Sequence, residues 1–285
     1  MALAQKMKAL IQVIRPELPI SAGICVLIGQ IIAMGYLPPL PIAVLGFSLG
    51  FFLSSSAMIF NDYFDLEVDR INAPQRPLPS GKLSPFEALL FGVITGVLAL
   101  GIAFLASSLL LILCLVLWLL GFLYNWKLKS SGIWGNLIVS TNVAMTIFIG
   151  GLSIGVIASP MVWIFGVIAF FFDLAEEIAG DAMDMAGDMK RNSKSLAIVY
   201  GRRLALTISA GLFGLVILLT ALPVLLRLVW MEYLIPIAVM DILIICFTSR
   251  LIRSKSREEG HRWMRRLYLS ATIGLVTFII IGFVR

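Results

Sequence analysis

Nine of the sixteen Asp and Glu residues fall in two short segments, NDYFDLEVD at 61–69 and EEIAGDAMDMAGD at 176–188. In the first, Asp62, Asp65 and Asp69 are spaced i, i+3, i+7, and Asp181, Asp184 and Asp188 repeat that spacing in the second. With 3.6 residues per helical turn, each trio shares one helix face. Asn61 stands four residues before Asp65 and Glu177 four before Asp181, which extends each face by a turn, whereas Glu67 falls off its face and is expected to be solvated. So many carboxylates crowded together repel one another unless cations bind between them. The one histidine, His261, is far along the chain from both segments. Ligation is therefore expected from oxygen alone, by Asn61, Asp62, Asp65, Asp69, Asp181, Asp184 and Asp188. That donor set suits Mg²⁺, with Mn²⁺ as the alternative, rather than zinc or copper.

Basic residues follow the acids closely. RINAPQRPLPSGK at 70–82 supplies Arg70, Arg76 and Lys82, MKRNSK at 189–194 supplies Lys190, Arg191 and Lys194, and YNWKLK at 124–129 supplies Lys127 and Lys129. Carboxylates beside Lys and Arg, with a divalent ion between them, are what a diphosphate requires: metal bridges its oxygens and cations neutralise the remaining charge. Each base taken singly could equally anchor membrane topology. Tyr124 and Lys127, three residues apart, share a face on a helical reading and are expected to point toward the diphosphate or the cation left by its departure. An interfacial aromatic with snorkelling lysines is the other reading of the pair. No glycine-rich nucleotide motif is present, so a nucleotide is not indicated.

The elements that must carry these residues are membrane helices. The 285-residue chain is 60% hydrophobic and 13% charged, with a mean hydropathy of +1.01, more apolar surface than a soluble core can bury. Runs long enough to span a bilayer occur near 18–36, 42–60, 87–106, 109–126, 136–157, 160–180, 203–223, 231–248 and 264–284. They lack the alternation of barrel strands, so an all-α, multi-pass bundle of about nine helices is expected, with a central cavity open to the cytoplasm. With the N-terminus inside, only Arg227 and Arg285 of 22 basic residues fall on the outer face. Both acid segments then sit at cytoplasmic ends of inward-running helices, the second and the sixth. Their equal separation suggests an internal duplication of a four-helix unit within a single domain over 1–285. The amphipathic start, with Lys6, Lys8 and Arg15, reads as retained rather than as a cleavable signal. Cys25, Cys114 and Cys246 lie in separate apolar runs and read as buried hydrophobes.

At these residues the chain resembles the UbiA superfamily of intramembrane prenyltransferases. Asn61, Asp62, Asp65 and Asp69 match its NDxxDxxxD signature, followed by RPLPSG at 76–81, and Asp184 with Asp188 matches its DxxxD motif, followed by KSLAIVYG at 194–201. The resemblance covers nearly the whole chain. It implies that Mg²⁺ held by both motifs binds an allylic prenyl diphosphate, that the C–O bond ionises, and that an acceptor captures the carbocation. Asp65, Asp184 and Tyr124 are expected to be catalytic, with Arg70, Arg76, Lys82, Lys127, Lys129, Lys190 and Lys194 binding substrate. Within the superfamily the chain looks most like an archaeal ether-lipid branch that couples geranylgeranyl diphosphate to geranylgeranylglyceryl phosphate. Its warrants are IRP at 14–16, LYNWKLK at 123–129 before Gly135 and Asn136, and the acidic run ending in Gly187 and Asp188. Glu176, Met183 and Ala186 depart from it, standing where that branch has Arg and Glu.

The alternative acceptor is aromatic, of quinone or chlorophyll type. An ion-coupled transporter is the rival from another class, since intramembrane acids can relay ions, and Asp173 and Asp241 are embedded without an obvious charged partner. The motif acids, however, gather at one interface rather than at the midplane. An alcohol phosphotransferase would need its acids on a single helix in a pattern this chain lacks. The expected partners are a prenyl diphosphate, a lipid or aromatic acceptor and membrane lipid, and not nucleic acid.

Overall fold

A computed structural model describes residues 3–190 and 192–283, and among them every regular element is a helix. The α-helices are α1 Leu3–Ile14, α2 Glu17–Met34, α3 Leu40–Phe64, α4 Leu66–Asn72, α5 Pro85–Ala106, α6 Ser108–Leu123, α7 Ile133–Ser153, α8 Pro160–Lys190, α9 Leu196–Tyr200, α10 Arg202–Thr220, α11 Leu222–Leu225, α12 Leu234–Ile252 and α13 Arg257–Phe283. Eight helical stretches among the described residues are long and apolar enough to cross a membrane. They fall on eight of the nine expected spans. The ninth, 160–180, lies within α8, a 31-residue helix whose apolar first part runs without a break into the acid segment.

Local chemistry sets the boundaries. Pro39 precedes α3 and Pro41 sits in its first turn, where its missing N–H costs nothing. Ser84 and Glu87 form a reciprocal capping box at the start of α5, and Ser107 caps α6 through the Leu110 amide, which makes the break between those two helices. The chain divides into two compact units, Met1–Trp126 with Thr146–Ile157, and Lys127–Met145 with Ala158–Arg285, so α7 contributes its two ends to different units.

The first unit is built on α3, which packs against α1, α2, α5 and α6. Close approach depends on missing side chains: a Cβ on Gly29 would lie 2.2 Å from the Ile147 carbonyl oxygen, and one on Gly150 2.2 Å from that of Val26. Such contacts replace the hydrophobic drive that lipid removes between membrane helices. The predicted continuous helix through Asp62, Asp65 and Asp69 is jointed. Asp65 ends α3 and precedes α4, but the i→i+4 bonds from Asp65 N–H to Asn61 O (3.0 Å) and from Asp69 N–H to Asp65 O (2.8 Å) keep the spacing helical.

The second unit is built on α8. Its buried Ala175, Ala179 and Ala182 pack with Leu206, Phe213 and Leu267 in the unit's core. Alanines let α10 come close, and Ser209 fills the contact by donating to the Ala175 carbonyl at 2.7 Å.

Candidate active site

In the first unit the acids of the NDxxDxxxD signature are withdrawn from solvent: Asp62 is 1% exposed, Asp65 9% and Asp69 3%. Buried carboxylates demand partners. Arg76 Nη1 lies 2.5 Å from Asp69 Oδ2 and 3.7 Å from Asp62 Oδ1, and Arg15 also pairs with Asp62. Arg15 holds a left-handed backbone, φ +52°, between α1 and α2, which lets the chain turn there and aims its guanidinium at α3. Asn61, one residue before the trio, donates through Nδ2 to Asn125 Oδ1 at 3.2 Å. With its nitrogen so committed, the Asn61 carbonyl oxygen is the atom available to a cation.

The flanking bases separate by role. Arg76 is joined to the trio, whereas Arg70 is turned onto exposed Glu67 at 3.0 Å, the solvated acid of the segment. Lys82 is exposed. Tyr124–Leu128 winds as a π-helix, so the shared α-helical face expected for Tyr124 and Lys127 is replaced by i→i+5 winding, a form that collects at functional sites.

In the second unit Asp181, Asp184 and Asp188 line a cavity of about 330 Å³ together with Asp173, Glu176, Glu177, His261 and Met264. Helix α7 answers two of these acids with neutral donors: Asn136 Nδ2 reaches Asp181 Oδ2 at 2.9 Å, and Ser140 Oγ reaches Asp173 Oδ2 at 2.8 Å. Asp181 lies just past the 160–180 span. Burial, opposed by its Asn136 bond, raises its carboxyl to about 6. Lys129 lies within electrostatic reach of Glu177.

The expectation that His261 stands far from both motifs is corrected. Its Nε2 lies 3.0 Å from Asp184 Oδ1, and Arg257 Nε lies 2.6 Å from the same oxygen. Folding back from α12 to α13 brings both residues, one helical turn apart, over α8. The two embedded acids also have partners, Ser140 for Asp173 and Thr220 for Asp241, the latter at 3.0 Å. The end of the basic segment at 189–194 is held to the turn that follows Lys129, since Lys194 N–H donates to the Ser130 carbonyl at 3.0 Å. The Lys190 side chain and Arg191 lie outside the described residues. Sequence spacing missed Arg15, Arg257, His261 and Asn125; the IRP run was the one local signal for any of them.

Oxygen donors in polar surroundings fit a hard divalent cation. Among the described residues no three His, Cys, Asp or Glu side chains are gathered closely enough to hold a metal ion by themselves.

Residues 22–272 match the model of the UbiA prenyltransferase family. The chain is 33% identical over 278 residues, 98% of its length and 99% of the relative's, to digeranylgeranylglyceryl phosphate synthase of Thermococcus kodakarensis. It is 32% identical to the homologous enzyme of Methanopyrus kandleri over 96% of this chain and 98% of that one. A solved structure of a digeranylgeranylglyceryl phosphate synthase superposes with a TM-score of 0.81 at 32% identity, covering 96% of this chain and 98% of the other. A UbiA homologue from Archaeoglobus fulgidus bound to DMAPP and Mg²⁺ shares the fold, with a TM-score of 0.69 at 21% identity over 96% of this chain and 98% of that one.

Proposed function

From the premise that this chain belongs to the UbiA prenyltransferase family, we propose that it transfers a geranylgeranyl group from its diphosphate to geranylgeranylglyceryl phosphate, in the presence of Mg²⁺. The observation that carries the acceptor is the similarity, along nearly the whole chain, to synthases of that ether-lipid product. The departures at Glu176, Met183 and Ala186 touch the second motif and not the first.

Asn61, Asp62, Asp65 and Asp69, with Asp181, Asp184 and Asp188, supply the oxygens that hold Mg²⁺ or Mn²⁺. A divalent ion held there would supply the positive charge that offsets the charge growing on the leaving group. Arg76, already among the acids of the first motif, and Lys127, Lys129 and Lys194 take the phosphate oxygens that the ion leaves uncovered. Lys82, Lys190 and Arg70 add charge for a second phosphate, that of the acceptor. Tyr124 faces the allylic carbon. There the C–O bond breaks, the acceptor hydroxyl oxygen forms the new C–O bond, and its proton is released with the diphosphate. Prenyl chains are hydrocarbon, so a site at the end of membrane helices lets them lie in lipid while the diphosphate stays among charges.

The excess of Lys and Arg on one set of loops supports placing the N-terminus and both acid motifs on the cytoplasmic face. Each unit carries one i, i+3, i+7 acid trio, which supports reading the domain as a duplication.

Purified protein in detergent, given labelled geranylgeranyl diphosphate and Mg²⁺, tests the reading. Product is expected with geranylgeranylglyceryl phosphate, lost on adding a chelator, and little is expected with 4-hydroxybenzoate. Preference for the hydroxybenzoate would move the chain to the aromatic branch. Absence of turnover in detergent, with ion flux in sealed vesicles, would make it a transporter.

A further inference from the structure

Asn125 lies outside both acid motifs, yet it is the partner of a residue that begins one. It is 8% exposed, a primary amide withdrawn from solvent at the end of the apolar α6, inside the π-wound Tyr124–Leu128 segment. Its own two donors are tied down: Nδ2 reaches the Gly121 carbonyl oxygen at 3.1 Å and the Ala57 carbonyl oxygen at 3.4 Å. Gly121 is four residues back on its own helix, and Ala57 is one turn before Asn61 on α3. The side chain is thereby fixed to both helices, and its one remaining atom, Oδ1, accepts from Asn61 Nδ2 at 3.2 Å. A primary amide can accept through oxygen or donate through nitrogen, and a fixed acceptor selects which end of Asn61 turns away.

We propose that Asn125 is a positioning residue that orients the Asn61 carbonyl oxygen toward the cation of the NDxxDxxxD motif. The inference rests on the proposed role of Asn61 as a ligand. A neutral ligand has no charge to hold it to a cation, so it depends on being held from behind more than the carboxylates beside it do. Groups that orient a ligand in this way typically govern metal affinity by 10- to 100-fold. The alternative is that Asn125 only ties α6 to α3, as Trp118 does through Ser56 at 2.7 Å.

The test is binding of Mn²⁺, with inorganic diphosphate present, to detergent-purified full-length protein, followed by the electron paramagnetic resonance of free and bound ion. Asn61→Ala, Asn125→Leu and the double variant are compared. Each single variant is expected to weaken Mn²⁺ roughly 10-fold, and the double variant to weaken it no further than Asn61→Ala alone. Should Asn125→Leu fail to fold, Asn125→Ser, too short to reach Asn61, replaces it. Wild-type affinity in the Asn125 variant while Asn61→Ala is impaired, or two losses that multiply in the double variant, overturns the positioning role alone. Wild-type affinity in Asn61→Ala overturns the ligand assignment and the inference with it.

Discussion

His261 Nε2 lies 3.0 Å from Asp184 Oδ1 across 77 residues of chain, and Arg257 shares that oxygen at 2.6 Å. One carboxylate oxygen of the second motif thus faces two nitrogen donors from the start of α13. A cationic donor competes with a divalent ion for the same lone pairs and can also serve the phosphate the ion brings. Arg257→Ala is therefore expected to leave unchanged or lower the Mg²⁺ concentration for half-maximal rate. It should raise KM for the prenyl diphosphate about fivefold, the worth of an exposed charge pair of about 1 kcal/mol. Initial rates over a Mg²⁺ titration check both; a raised Mg²⁺ requirement would show instead that Arg257 orients the carboxylate for the ion.

Asp65→Ala and Asp184→Ala are each expected to abolish turnover while the protein remains inserted and monodisperse. Near wild-type activity in either would remove that motif from the site.

Asp62→Ala should behave differently. Its carboxylate is 1% exposed and joins Arg15 on the α1–α2 turn to Arg76, so its loss takes the ion-pair partner from Arg15 and leaves Arg76 with Asp69. Beyond lost activity, we expect a fall in stability of roughly 1–3 kcal/mol, the cost of stranding a partly buried polar group. Thermal unfolding in detergent, beside Asp184→Ala, whose carboxyl is 37% exposed, checks the contrast.

Gly132→Ala tests the contact between the turn that follows Lys129 and the end of the 189–194 segment. Gly132 has φ +68°, and a Cβ there would stand 2.0 Å from the Lys194 carbonyl oxygen. The substitution is expected to cost about 1 kcal/mol or more, and to raise KM for the prenyl diphosphate by pushing the 194 segment from the 130 turn. An unchanged KM with a lowered melting temperature would separate Lys194 from substrate.

Arg76 and Lys82 are expected to behave differently. Because Arg76 is held by Asp69 and Asp62, Arg76→Ala is expected to lower kcat and affect both substrates. Lys82→Ala should raise KM for the lipid phosphate more than for the prenyl diphosphate. Equal effects of Lys82→Ala on both substrates would count against a phosphate-bearing acceptor.

Legibility followed the range of the interaction. Asp181, Asp184 and Asp188 were readable because a helix turns the spacing 3, 4 into one face, and α8 keeps that face on a cavity. Span positions were readable because lipid leaves few alternatives to apolar helices, and Pro39, Ser84 and Ser107 mark their ends by local chemistry. His261 was not readable, since its nearness to Asp184 depends on how α13 returns to α8. Arg15 needed a positive φ that an arginine does not advertise. Asn125 looked like one polar residue among aromatics and lysines, and only its hydrogen bonds to α3 distinguish it. The joint at Asp65 was hidden because neither glycine nor proline marks it between Asn61 and Asp69.

That joint divides the first motif mechanically. Asn61 and Asp62 ride on α3, a 25-residue helix whose length commits it to the bilayer, while Asp69 rides on the seven-residue α4 beyond the joint. A change of a few degrees in the backbone at Asp65 would swing Asp69 and Arg70 sideways without drawing α3 through the lipid, so the two ends of the motif need not move together.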